Sequence, residues 1–140
     1  MIVSPHILVI DDDSDFREYL RIILESHGYH VRCAGNARDG AAALQNERPD
    51  LIILDAMMSY AFQGLSLVQE IRQDSHFDTV PLILVSAVLR EPAHALLSNA
   101  PANAIDAFLT KPIQPAIVLE YVERLLKQRL SAVHRVSLPS

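Results

Sequence analysis

Three uninterrupted aliphatic runs mark the chain: Ile7-Leu8-Val9-Ile10, Leu51-Ile52-Ile53-Leu54 and Leu82-Ile83-Leu84-Val85. A strand with one wet face alternates apolar and polar positions. A run with no polar break has both faces covered, as in a central parallel sheet. Two weaker strands are expected over His30–Ala34 and Asp106–Leu109. Between these runs the spacing turns helical. Ser14–His27 sets Phe16, Leu20, Ile23 and Leu24 on one face, and Gly28 supplies the stop. Asn36–Asn46 is Ala-rich, with Asn36 as N-cap and Pro49 beyond its end. Gly64–Gln73 carries Leu67, Val68 and Ile71 on one side. Pro92–Asn99 and Pro115–Arg129 each open on a proline at the first helical position. The latter turns Val118, Tyr121, Val122, Leu125 and Leu126 inward. Strand and helix alternate five times. That is a (βα)5 chain of the α/β class, which right-handed crossovers wind into a doubly wound five-stranded parallel sheet. Ser131–Ser140 lose the apolar period, so one domain is expected over residues 1–130, with 131–140 a C-terminal tail or the start of a linker.

The 140-residue length suits one domain. Half the residues are hydrophobic, which excludes a disordered chain, and the absence of Trp makes the core aliphatic. Twelve basic residues against seventeen acidic give a net charge of −5, which disfavours direct nucleic-acid binding because phosphate must be neutralised by Lys and Arg. The single cysteine, Cys33, excludes an internal disulfide and is expected as a small core residue on the second strand. The six histidines show no metal-ligand spacing. No apolar run approaches the ~20 residues of a membrane span. The N-terminus has no basic segment, and its apolar run ends in three aspartates, unlike a signal peptide. The expectation is a cytoplasmic protein with no membrane partner.

In open α/β sheets, sites form at the carboxyl ends of the strands. The residues there are Asp11, Asp12 and Asp13 after the first strand, Asp55 after the third, Ser86 after the fourth and Lys111 after the fifth. Taken singly, each has a plain explanation. An aspartate run before a helix is as often a cap as a site, and Asp13 or Ser14 is expected to cap the first helix. A lone Asp55 reads as a strand-end turn residue, Ser86 as an ordinary strand terminus and Lys111 as a solvated cation. Brought to one edge they mean more. Clustered carboxylates repel unless a cation joins them, and Mg2+ takes one or two carboxylates together with phosphate oxygens. A lysine binds phosphate as a point charge, and a carboxylate can act as a nucleophile toward phosphorus. The residues therefore point to a metal-assisted phosphoryl acceptor centred on Asp55.

Four segments, in this order, resemble the receiver domains of two-component response regulators, the CheY-like fold: Ile7-Leu8-Val9-Ile10-Asp11-Asp12-Asp13, Leu51-Ile52-Ile53-Leu54-Asp55-Ala56-Met57-Met58, Leu82-Ile83-Leu84-Val85-Ser86-Ala87 and Phe108-Leu109-Thr110-Lys111-Pro112. The resemblance runs from about His6 to Arg129. It implies strand order 2-1-3-4-5 and phosphorylation of Asp55. It implies Mg2+ held by Asp12 directly, by Asp11 largely through water, by Asp55 and by the Met57 carbonyl. Ser86 matches the switch hydroxyl, Phe108 the aromatic rotamer switch and Lys111 the lysine that pairs with the phosphoryl group, with a cis Lys111–Pro112 peptide bond. A sensor histidine kinase or phosphotransfer protein is the implied donor. Homodimer or effector contacts are implied through the fourth helix, fifth strand and fifth helix, Pro92 to Arg129. Such a domain assists its own phosphoryl transfer and dephosphorylation and is not an enzyme on an external substrate.

The chain departs from the family pattern in places. Ser59 stands where proline is usual, and Gly64 comes one residue late. The Ser86–Lys111 stretch is a few residues longer, Ala104-Ile105 replaces Gly-Ala, and Phe108 replaces the commoner tyrosine. Two alternatives stand beside the phosphorylation switch. One is a degenerate receiver acting as a phosphorylation-independent interaction module. The other is a flavodoxin-like small-ligand domain, against which the aspartates after the first strand count, because they repel phosphate unless a metal intervenes.

Overall fold

The computed structural model describes residues 4–58, 63–87 and 104–137, with backbone alone for 63 and 130–137. Strands β1 (His6–Ile10), β2 (His30–Ala34), β3 (Leu51–Asp55), β4 (Leu82–Ser86) and β5 (Ala107–Thr110) form one parallel sheet in the order β2-β1-β3-β4-β5. Helices α1 (Ser14–Glu25), α2 (Ala37–Asn46), α3 (Gln63–Gln73) and α4 (Pro115–Ser137) connect or follow the strands, and a 3-10 turn spans Ser75–Phe77. The expected helix at Pro92–Asn99 lies outside the described residues.

The unbroken apolar runs sort by parity. Leu8, Ile10, Ile52, Leu54, Leu82 and Leu84 face one side, where Leu44 of α2 and Leu67, Val68 and Ile71 of α3 cover them. Ile7, Val9, Leu51, Ile53, Ile83 and Val85 face the other, against Leu20 and Leu24 of α1 and Val118, Val122 and Leu125 of α4. Successive strand residues point to opposite faces, so two cores need aliphatic side chains at every position. Each side chain so buried stabilises the fold by about 1.5–3 kcal/mol relative to exposure.

Helix ends follow the capping chemistry. The Asp13 carboxylate accepts from the amides of Asp15 and Phe16, and Asn36 accepts from Asp39 N. Gly28 takes φ +88°, a conformation that favours glycine, just beyond α1.

Four details differ from the sequence reading. Helix α1 ends at Glu25, two residues before His27, with Ser26 as its cap. β5 begins at Ala107, because the Asp106 carboxylate accepts the Leu82 amide at 2.8 Å and takes the place of a ladder carbonyl. Cys33 is exposed, not in the core: β2 is an edge strand, and only its last residue, Ala34, is fully buried. Helix α4 runs on to Ser137, past the expected end at Arg129. From Ala116 to Leu138 the chain contains no glycine or proline to interrupt it. Among the described residues, no helix is long and apolar enough to cross a membrane.

Candidate functional site

All five strands are parallel, so their carboxyl ends share one edge. Among the described residues the buried polar side chains are Asp11 (1% exposed), Asp55 (5%) and Ser86 (1%), and all three lie on that edge. One carboxylate oxygen from each of Asp11, Asp12 and Asp55 lies within 4.8 Å of the others, with Asp12 exposed at the mouth.

The two buried acids are aimed alike. Asp11 Oδ1 accepts the Asp13 amide at 2.9 Å, and Asp55 Oδ1 accepts the Met57 amide at 3.0 Å. Each is an Asx turn to the residue two positions on, which fixes one oxygen and leaves the other for the pocket. The free oxygens converge on one cation: Lys111 Nζ lies 2.8 Å from Asp11 Oδ2 and 3.5 Å from Asp55 Oδ2. Lys111 follows β5, its amide donates to Ser86 O at 2.9 Å, and its bond to Pro112 is cis, as the resemblance implies. Ser86 closes β4, in register with Thr110. Phe108 stands opposite Leu84 and packs, partly buried, against the core on the α2/α3 side. Met57 is exposed at the lip, whereas Met58 is buried. The Asp13 side chain caps α1, as expected. Ser59 falls outside the described residues.

Burial pushes the Asp55 carboxyl up to about 6, and the charge of Asp11 adds to the shift, while the Met57 amide and the Lys111 ammonium oppose it. Burial alone would lower Lys111, but its hydrogen bond to Asp11 and the charges of Asp55 and Asp11 prevail, and the net direction is upward. Three carboxylates thus face one ammonium, leaving two negative charges in excess. Oxygen donors with that excess fit a hard divalent cation, so the residues present suit Mg2+.

Four contributors were missed or only half seen in the sequence. Arg17 Nη1 donates to the Asp11 carbonyl at 2.7 Å and holds the loop after β1. Phe16 lies under the Lys111 ammonium, 4.2 Å from it at the ring centroid. Tyr19 donates its hydroxyl to Ile113 O at 2.6 Å. Gly64 sits where a Cβ would fall 1.8 Å from the Asp55 carbonyl oxygen. The signal for Gly64 was the family glycine expected near this place, which the sequence shows one residue late. Phe16 read only as part of an apolar helix face, and Tyr19 carried no signal in the sequence reading.

Comparison with known proteins places the chain in a family. The family model of the response regulator receiver domain matches residues 7–123. An uncharacterized 14.6 kDa protein of Leptolyngbya boryana is 33% identical over 84% of this chain and 87% of its own length. The transcriptional regulatory protein CseB of Streptomyces avermitilis is 31% identical over 91% of this chain and 52% of its own length. The chain thus spans about half the length of that regulator. The crystal structure of a CheY-like receiver domain protein from Methanospirillum hungatei superposes with a TM-score of 0.83 at 25% identity, covering 93% of this chain and 99% of that one. With the family model matching most of its length and its sheet order shared with such domains, the chain belongs to the response regulator receiver domain family of two-component signalling.

Proposed function

We propose that the domain is a phosphorylation-dependent switch in which Asp55 accepts a phosphoryl group from the phosphohistidine of a sensor kinase or phosphotransfer protein. The observation that carries this reading is the Asp55 carboxylate itself. It is buried, one oxygen is fixed by the Met57 amide, and the other lies 3.5 Å from Lys111 beside two further acids. In the transfer, an Asp55 oxygen attacks phosphorus, the new P–O bond forms, and the P–N bond to imidazole breaks. The imidazole leaves with the electron pair. Lys111 meets the charge on the transferred oxygens, and the Ser86 hydroxyl, at the end of the neighbouring strand, supplies a neutral partner. Arg17 holds the Asp11 backbone in place throughout. Asp11, Asp12, Asp55 and the Met57 carbonyl would hold Mg2+, which neutralises charge on the phosphoryl oxygens when bound.

The output runs through the face from Pro92 to Arg129, made of the helix expected over Pro92–Asn99, β5 and α4, toward a second copy or an effector. The domain acts in the cytoplasm, and its net charge of −5 argues against binding nucleic acid itself. Acetyl phosphate with Mg2+ should add the mass of one phosphoryl group. Asp55→Asn and omission of Mg2+ should each abolish the addition. No mass change in the wild-type chain with Mg2+ would overturn the reading and favour the phosphorylation-independent module.

A further inference from the structure

Lysine is a poor fixed charge. Its four-carbon stem is flexible, and holding the ammonium in one place costs rotamer entropy. In this pocket Lys111 has carboxylate partners on one side, and one of them, Asp55, changes its charge when it is modified. A contact that does not change is needed to keep the ammonium still. Helix α1 provides one. The Lys111 Nζ lies 4.2 Å from the centroid of the Phe16 ring, inside the range where the negative face of an aromatic ring attracts a cation. Phe16 in turn stacks on Tyr19, with ring centroids 6.1 Å apart and planes inclined by 29°. Three residues apart, the two rings occupy neighbouring positions on one helix face. The Tyr19 hydroxyl donates to Ile113 O at 2.6 Å, two residues after Lys111.

We propose that Phe16 and Tyr19 form an aromatic ledge on α1 that positions Lys111 for the phosphoryl group, Phe16 holding the ammonium and Tyr19 the backbone of its loop. This rests on the acceptor reading of Asp55 and adds positioning residues to it. Neither ring touches the reacting atoms; both act through Lys111. A side chain that merely fills the core could be replaced by any apolar group of similar bulk. A ring whose face binds the ammonium could be replaced only by another ring. The ledge gives the ammonium the same seat before and after phosphorylation, so the pocket need not rebuild it.

The test uses beryllofluoride, a phosphoryl mimic, at saturating Mg2+. Phe16→Leu keeps the apolar bulk and should weaken beryllofluoride binding about three- to tenfold. Phe16→Tyr keeps the ring and should bind within about twofold of wild type. Tyr19→Phe loses the hydroxyl contact to Ile113 and should weaken binding by a smaller factor, about two- to fivefold. Unchanged binding in Phe16→Leu, or equal loss in Leu and Tyr variants, overturns the ledge while leaving the acceptor intact. A wild-type chain that binds no beryllofluoride overturns the acceptor reading instead. The ledge is then judged without ligand, by ring-current shifts of the Lys111 ε-methylene protons. These should lie upfield in the wild type and in Phe16→Tyr, and lose that shift in Phe16→Leu. Their absence in the wild type overturns the ledge outright.

Discussion

Asp55 carries its charge at a cost to the fold. Its carboxyl is pushed up to about 6, from 3.8 for the free group, chiefly by burial. An acid whose folded pKa is raised keeps its proton longer in the folded state than in the unfolded one. Below about pH 4 both states are protonated and there is no penalty. Between about 4 and 6 the folded state binds more protons, so stability falls as pH rises, and above 6 the whole penalty is present. At pH 7 it amounts to roughly 3 kcal/mol. Removing the charge should therefore help the metal-free fold. Asp55→Asn keeps an oxygen for the Met57 amide and should be about 1–3 kcal/mol more stable than wild type at pH 7 in chelator, with the gain shrinking toward pH 4. Urea unfolding at both pH values checks this. Equal stabilities at pH 7, or a gain that grows on acidification, would contradict it. A dication would offset that burial cost together with the smaller repulsion from Asp11.

Among the elements, two glycines pack helices against strand ends, and their surroundings separate their roles. At Gly64, in the first turn of α3, a Cβ would lie 1.8 Å from the Asp55 carbonyl oxygen and 2.8 Å from Ala56 Cα, both backbone. At Gly40 in α2 the nearest atom is Ile10 Cδ1, at 2.7 Å, the end of a side chain. Backbone cannot step aside as a methyl can. Gly64→Ala should cost about 3 kcal/mol, the upper end for overpacking, and should displace Asp55. Gly40→Ala gains up to ~1 kcal/mol of helix propensity against a softer clash and should cost less than half as much. Denaturant unfolding of the two variants ranks them, and equal costs would refute the distinction. The sequence showed Gly64 as displaced by one residue from the family pattern, yet the close approach to Asp55 survives that shift. What could be read in advance was whatever obeys a local rule. Aliphatic runs became central strands, acids after them became the pocket, and Asp13, Asn36 and Gly28 became caps or stops. What could not be read depended on neighbours distant in sequence. Cys33 has the character of a core residue, but β2 is an edge strand and leaves it exposed. Phe16 and Tyr19 have the spacing of core residues, and nothing local in α1 reveals that Lys111 and Ile113 come to rest on them. The end of α4 was misplaced because apolar period ends before helical backbone does: with no breaker before Pro139, the helix continues to Ser137.

At the scale of the whole molecule, one sheet separates two cores, and the pocket lies where the strands that divide them end. A phosphoryl group on Asp55 would add roughly −1.5 to −2 charges there. The route outward is already covalently and hydrogen-bonded in place. Lys111 N donates to Ser86 O, and Ser86 and Leu84 lie in register with Thr110 and Phe108, so a pull on Lys111 or Ser86 acts on the β4–β5 pair. Strand β2, at the opposite edge, pairs with β1 rather than with β4 or β5, and it meets the pocket where the Asp11 amide donates to Ala34 O at 3.0 Å. Driving a switch from mostly off to mostly on takes about 5.5 kcal/mol of differential stabilisation. A ligand at a hundred times its dissociation constant contributes about 2.7 kcal/mol of stabilisation, so Mg2+ alone at that level cannot complete the change even if all of it discriminated between states. Mg2+ alone should therefore protect amides only around Asp11–Asp13 and Asp55–Met57. Mg2+ with beryllofluoride should extend the protection or exposure to Ser86, Phe108 and Lys111, leaving His30–Ala34 as it was. Hydrogen exchange followed by residue reads both arms. In the proposed switch Phe108 would turn toward Ser86, where phenylalanine offers no hydroxyl to bond, so the response at Phe108 should be one of packing. Phe108→Tyr should then bind beryllofluoride as the wild type does while changing the exchange pattern along β5. If the changes with both ligands never leave the acid loops, the pocket is not coupled to β5, and the domain does not switch through that face.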